Sequence, residues 1–329
     1  MTDEVTLITA CASHGERTWF RKMRKCTVAS LQQVARFTHL RIENVAVLTD
    51  FSENADTALQ YAAALARVHK ANLLIAHAYL PPSCAYAAPE AGLVLQAFED
   101  RRKDLEDRLL KQTESTELRD LECRVLTLVG GPEDLLEELQ NVDLIVVGTS
   151  GHTGAGRAVL GSTAETIFRS SKVPVMTVGP FCPQRAPSTT ALDTVLYATD
   201  LSAGAAIALP YAVSIAGEQN AKLVLLHVLE DQNIPFPFER AMASAEPLEK
   251  LHRLIPDDIE LEHKPEYVIG FGMLDKVILE EAANHHTELI VMGVKGSGAF
   301  GSIATHFFGG TAYSVAVNAH CPVLTIREK

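Results

Sequence analysis

Glycines at fixed intervals beside hydroxyl residues are the clearest chemical feature of the chain. The segment Gly148-Thr-Ser-Gly151-His-Thr-Gly-Ala-Gly-Arg-Ala-Val-Leu-Gly161-Ser162 reads G-x-x-G, nine residues, then G-S. This spacing suits a chain of phosphates, because glycine lets backbone N–H groups approach an anion closely. A helix starting near Ser162 would add free N–H groups and the positive end of its dipole. Ser162 and Glu165 have the S-x-x-E spacing of a capping box, which predicts such a start. The competing reading is a flexible glycine-rich connector. Two carboxylates, Asp50 and Asp200, each follow an apolar run and precede a serine by two positions, Ser52 and Ser202. Each Asp-x-Ser could accept hydrogen bonds from a polar ligand, or could terminate a strand and cap the next helix.

The elements that must position these residues occur twice. Val45-Ala-Val-Leu-Thr-Asp-Phe-Ser52 recurs as Val195-Leu-Tyr-Ala-Thr-Asp-Leu-Ser202, and Asn72-Leu-Leu-Ile-Ala-His77 as Lys222-Leu-Val-Leu-Leu-His227, both at an offset of 150. Leu144-Ile-Val-Val-Gly148 matches Leu289-Ile-Val-Met-Gly293 at 145, and Val173-Pro-Val175 matches Cys321-Pro-Val323 at 148. The chain therefore reads as a repeat, with domains at 44–180 and 193–329, a Pro-rich linker at 181–192 and a basic extension at 1–43. The extension could also reflect a start at Met23. Within each copy, apolar strand-length runs alternate with helical patterns. In copy one the strands are near Val45–Leu48, Leu73–Ala78, Cys123–Leu128, Leu144–Gly148 and Val173–Val178. After Ser52, the residues Ala58, Tyr61, Ala62, Leu65 and Val68 recur at three- and four-residue steps, predicting an amphipathic helix. Five such strands predict an α/β fold of two repeated, doubly wound domains, each a five-stranded parallel sheet with helices on both faces. Ligands of such sheets bind at the carboxyl ends of the strands.

At these residues the sequence resembles the universal stress protein family in its tandem form. The features that carry the likeness are the Asp-x-Ser after the first strand, the repeated His at the end of the second, and the G-x-x-G-x9-G-S loop. The resemblance covers almost everything from residue 44 onward. It implies an adenine-nucleotide-binding fold, with the loop marking the ATP-binding branch, so the expected ligand is ATP accompanied by Mg²⁺. It places Asp50 at the adenosine end, Ser52 beside it as a helix cap, and the backbone of Ala78 against the adenine edge. Gly148, Gly151, Gly161, Ser162 and Thr163 would surround the phosphates, with His152 and Arg157 balancing charge. In copy two, Asp200, Ser202 and Val228 keep the adenosine half, and Gly293 and Gly296 keep the start of the loop. The closing glycines stand at Gly309 and Gly310, three residues late, and the S-x-x-E spacing is missing. Copy one is thus expected to be the ATP site and copy two an altered one, in which Lys295 supplies a cation. The resemblance further implies edge-strand packing of the two domains as an internal pseudo-dimer, and is compatible with a further homodimer.

Composition and other motifs limit the alternatives. The 329 residues carry 29 Lys plus Arg against 41 Asp plus Glu, and a net charge of −12 opposes binding to a nucleic-acid backbone. No apolar run reaches the roughly 18 residues of a membrane span. Six scattered cysteines without C-x-x-C spacing fit a reducing, cytoplasmic setting. Gly296-Ser-Gly-Ala-Phe-Gly301 matches G-x-G-x-x-G, but it follows a fourth strand and lacks the acidic residue that dinucleotide binding uses. There is no Walker motif and no S-G-G-x-D-S signature. His285-His286 reads as a helix-end pair rather than a metal site, His77 and His227 as packed strand-end residues, and the mixed-charge run 99–108 as a solvated helix. No nucleophile and base are assembled, so the expected role is nucleotide-dependent regulation with at most weak ATP hydrolysis. The alternatives are an ATP-using hydrolase or transferase, and a nucleotide-free interaction module.

Overall fold

The structure is a computed structural model that describes residues 40–80, 91–149, 160–183, 192–230, 236–256, 259–294 and 305–327, with backbone only at 91–95 and 305–309. In the first half, β1 (Asn44–Leu48), α1 (Glu53–His69), β2 (Asn72–Tyr79), α2 (Ala91–Thr113), β3 (Cys123–Val129), α3 (Pro132–Glu138), β4 (Leu144–Gly148), α4 (Ser162–Ser170) and β5 (Val175–Val178) alternate. The second half repeats the order with β6 (Thr194–Ala198), α5 (Ala203–Ala206), α6 (Leu209–Gln219), β7 (Lys222–Leu229), α7 (Pro237–His252), β8 (Glu266–Phe271), α8 (Leu274–Asn284), β9 (Leu289–Val294), α9 (Thr305–Asn318) and β10 (Val323–Arg327). No described helix is long and apolar enough to cross a membrane.

All ten strands form one sheet in the order β3-β2-β1-β4-β5-β10-β9-β6-β7-β8. Pairing is parallel within each half, so each half is the doubly wound five-stranded sheet that the alternation of elements predicts. Side chains alternate across the sheet: Val45 and Val47 enter the core under α1, whereas Ala46 and Leu48 enter the core under α3 and α4. The strands are apolar on both faces because helices cover both.

The halves meet where β5 and β10 pair antiparallel, with Met176 opposite Leu324, Val175 opposite Thr325 and Thr177 opposite Val323. At the repeat offset of 148, Met176 and Leu324 are equivalent residues, so a local two-fold axis passes between them. The buried threonines obey it: Thr177 Oγ1 donates to Val323 O (3.2 Å) and Thr325 Oγ1 donates to Val175 O (3.1 Å). The start of the expected linker differs from a free extended chain, because Cys182 is buried and Phe181 packs on His320. An apolar side chain and a ring contact hold it against the second half.

One repeat-equivalent helix departs from its partner. Where α1 runs unbroken for 17 residues, the second copy has the short α5, a break, and α6 with Pro210 in its first turn. Proline lacks the N–H that would bond back into the preceding turn, so the helix restarts there.

Candidate functional site

The same local device ends the first strand of each copy. Asp50 Oδ1 accepts from Ser52 N (3.0 Å) and Asp200 Oδ1 from Ser202 N (2.9 Å). Thr49 Oγ1 accepts from Phe51 N and Thr199 Oγ1 from Leu201 N, each at 3.0 Å. These bonds hold Phe51 (φ 63°) and Leu201 (φ 61°) in the left-handed region, which non-glycine residues seldom enter. Ser52 and Ser202 then cap α1 and α5, each accepting from a backbone N–H at 3.2 Å. The Asp-x-Ser pair is therefore a turn and cap first, and the turn leaves Asp50 exposed at the carboxyl end of β1.

Beside it, β2 outruns β1. Pairing with β1 ends at Ala76, whose carbonyl accepts from Thr49 N (3.0 Å), whereas pairing with β3 continues to Tyr79. Successive residues of a strand point their backbone groups to alternate edges. Ala78 thus turns its N–H and C=O to the same side as Ala76, where no strand follows. The second copy repeats this, with Leu226 O accepting from Thr199 N (2.9 Å) and Val228 two residues on. His77 Nδ1 lies 2.7 Å from Thr49 O and His227 Nδ1 2.9 Å from Thr199 O, so in each ring Nδ1 is the donor. Burial lowers the His77 pKa, keeping the ring neutral with Nε2 as an acceptor. Its ring packs on Phe51 (5.0 Å between centroids), and the Arg108 guanidinium lies 3.9 Å from the Phe51 ring centroid.

The far wall in copy one is the start of α4. Gly161 is the N-cap residue in extended conformation, its own N–H donating to Thr149 O (2.8 Å). Ser162 and Thr163 follow, exposed, with their amides in the first turn, where a helix has no internal partner for them. The predicted capping box does not form. The cap is Gly161, Ser162 is the first helical residue, and Glu165 turns to Arg169 one turn on (2.8 Å). Gly148 lines the site, but its lack of a side chain answers to packing: a Cβ there would stand 2.9 Å from Asn54 O. Gly293 is tighter still, 2.6 Å from Ala205 Cα. These glycines let a strand end pass under the start of a helix.

Asp50, Ser52, Ala78, Gly148, Gly161, Ser162 and Thr163 come together around one cavity of about 250 Å³. Sequence reasoning missed its apolar wall, in which Leu48, Ala55, Leu135 and Val147 take part. Only the place of Leu48 and Val147 near strand ends, and of Ala55 and Leu135 in the first turns of the helices that follow strands, could have signalled it. In copy two, Asp200, Ser202, Val228 and Gly293 line a cavity of about 80 Å³. Gly309 and Gly310 do not close that cavity as expected. They are the fifth and sixth residues of α9, where amides bond within the helix, and Thr311 and Ala312 line the cavity instead. Gly151, His152, Arg157, Lys295 and Gly296 lie outside the described residues.

A hydrogen bond ties the entrance of α4 to the other half: Leu160 N donates to Tyr313 Oη (3.2 Å), and Tyr313 belongs to α9. Leu160 directly precedes Gly161.

Two α/β repeats joined through their fifth strands, each with a cavity at its strand ends, define a tandem, doubly wound class of fold. The universal stress protein family matches residues 41–179 and 191–327, and the chain belongs to that family. A universal stress protein of Mycolicibacterium smegmatis is 27% identical over 307 residues, spanning 87% of this chain and 97% of that one. One from Mycobacterium tuberculosis is 26% identical over 298 residues, spanning 85% and 94%. Among solved structures, a universal stress protein from Archaeoglobus fulgidus superposes with a TM-score of 0.61 at 20% identity, covering 87% of this chain and 98% of the other.

Proposed function

We propose that the first half binds ATP, with Mg²⁺ carried on the triphosphate, and that binding stabilises one packing of the two halves. The observation that carries this reading is the polarity of the 250 Å³ cavity. At one end the overhanging edge at Ala78 offers a donor and an acceptor side by side, the pattern that the edge of an adenine ring satisfies. Asp50, between the ends, has a second carboxylate oxygen to accept from ribose hydroxyls. At the other end the open first turn of α4, with Ser162 and Thr163, provides amide and hydroxyl donors suited to phosphate.

The link from Leu160 to Tyr313 gives the bound nucleotide a route to the second half. Ordering the segment that leads into Gly161 would favour the arrangement in which Tyr313 accepts that bond. A ligand shifts an equilibrium only by its different affinity for the two states, so the expected output is a change in stability or self-association rather than turnover. Thermal melts and sedimentation velocity with and without Mg-ATP test this. Nucleotide at 100 times its Kd should add about 2.7 kcal/mol to the stability of the folded chain. Unchanged melting and sedimentation at saturating Mg-ATP would contradict the proposal.

A further inference from the structure

The apolar stripe of α1 is wider than the sheet needs. Ala58, Ala62 and Ala66 are buried against the strands, while the larger Tyr61, Leu65 and Val68 lie on the adjoining face. That face looks across the local two-fold axis toward α6, where Tyr211 and Ile215 stand at the equivalent positions 150 residues on. Between the two helices, above Met176 and Leu324 of the central strand pair, lies a cavity of about 300 Å³. It sits within the α1 and α6 side of the sheet, and none of its lining residues belongs to either cavity at the strand ends.

Its chemistry differs from theirs. The walls are aliphatic and aromatic, and the charged groups at its margin are already engaged. Asp143 Oδ2 accepts from Glu43 N and Asn44 N, each at 2.9 Å. Glu288 accepts from Asp193 N, and Glu218 lies 3.7 Å from His69 Nδ1 across the two halves. The phenols of Tyr61 and Tyr211, one from each helix, have no hydrogen-bond partner among the described residues. An apolar cavity between domains with a few convergent polar groups is where small molecules commonly bind.

We propose that this interdomain cavity is a second ligand site, taking a compact, neutral, largely apolar molecule of two or three fused rings or equivalent bulk, oriented by the Tyr61 and Tyr211 hydroxyls. Charged ligands are disfavoured because the lining is largely apolar, its carboxylates are committed, and no Lys or Arg is among its residues. The site joins both halves, so its occupant would stabilise the same packing that the nucleotide is proposed to favour, without sharing a residue with it.

The test is a fluorescence titration of the full chain with 1-aminoanthracene, a neutral three-ring fluorophore, in the presence of excess Mg-ATP. The expected result is saturable, blue-shifted emission at one probe per chain. Ala64→Trp and Ile215→Trp, which fill the cavity from opposite walls, should each weaken binding at least tenfold. Circular dichroism and sedimentation of the two variants establish that they fold. Absence of saturable binding would overturn the proposal, and is the outcome if another stretch of this chain fills the cleft. Displacement of the probe by ATP would overturn it as well, as would unchanged affinity in both folded variants.

Discussion

The two halves match where the first strand turns into a helix beside the second strand, and differ past the fourth strand. The Thr-Asp-x-Ser turn, the helix cap, the overhanging second strand and the histidine on the threonine carbonyl match almost bond for bond. Past the fourth strand the halves separate. Copy one brings an extended Gly161 to an open helix start, while copy two has Gly309 and Gly310 inside α9 and a cavity about one third the size. A turn that caps a helix is retained for folding whether or not a ligand binds, whereas a phosphate loop has no such second use. The shared half therefore reports on the fold, and the proposed nucleotide preference rests on the half that diverges.

The largest expected effect separates the two aspartates. Asp50→Ala should weaken ATP binding about 10- to 100-fold, the loss of about 1.5–3 kcal/mol expected for charged hydrogen bonds, in isothermal titration. Asp200→Ala should leave that affinity within about twofold. Next come the packing glycines, where the halves should behave alike. Gly148→Ala and Gly293→Ala each push a Cβ into helix backbone and should cost about 1–3 kcal/mol in urea unfolding, with Gly293→Ala the larger. Ser52→Ala and Ser202→Ala each remove a helix cap and should each cost about 1 kcal/mol. A difference of more than about 1 kcal/mol between the two serine variants would break the claim that the turn serves folding equally in both halves.

The smallest effect is on pH. Burial lowers the pKa of His69 and of His77, both in the first half. A histidine whose folded-state pKa lies below its unfolded value favours the folded state fully above about pH 6.5, and that contribution is lost as pH falls through the folded pKa. Stability should therefore decline below about pH 6.5. His69→Gln should flatten the profile, since Gln219 already holds the equivalent place in the second half.

Much of this was legible because the repeat supplies its own control. Two copies of one strand-and-turn pattern at a fixed offset located the strands to within a residue or two, and singled out Asp50, Ala78 and Gly161, which line one cavity. What stayed hidden depended on competition between partners. Ser162 and Glu165 have capping-box spacing, but Arg169 offers Glu165 a charged partner one turn on, and Gly161 takes the cap position. The packing duty of Gly148 was hidden because spacing cannot show that Asn54 passes over it. Gly309 and Gly310 aligned with the loop by distance to Pro322, yet α9 begins at Thr305 and absorbs them. The interdomain cavity left only one trace in the sequence, the larger residues on α1 that the sheet does not use.

The most direct test of the asymmetry is the amount of nucleotide bound per chain. The full protein would be saturated with Mg-ATP, freed of excess ligand, denatured, and its nucleotide measured by ion-pair chromatography, for the wild type and for Gly161→Val. The account predicts one adenine nucleotide per chain in the wild type and almost none in Gly161→Val. Two nucleotides per chain, or one that survives Gly161→Val, would contradict it.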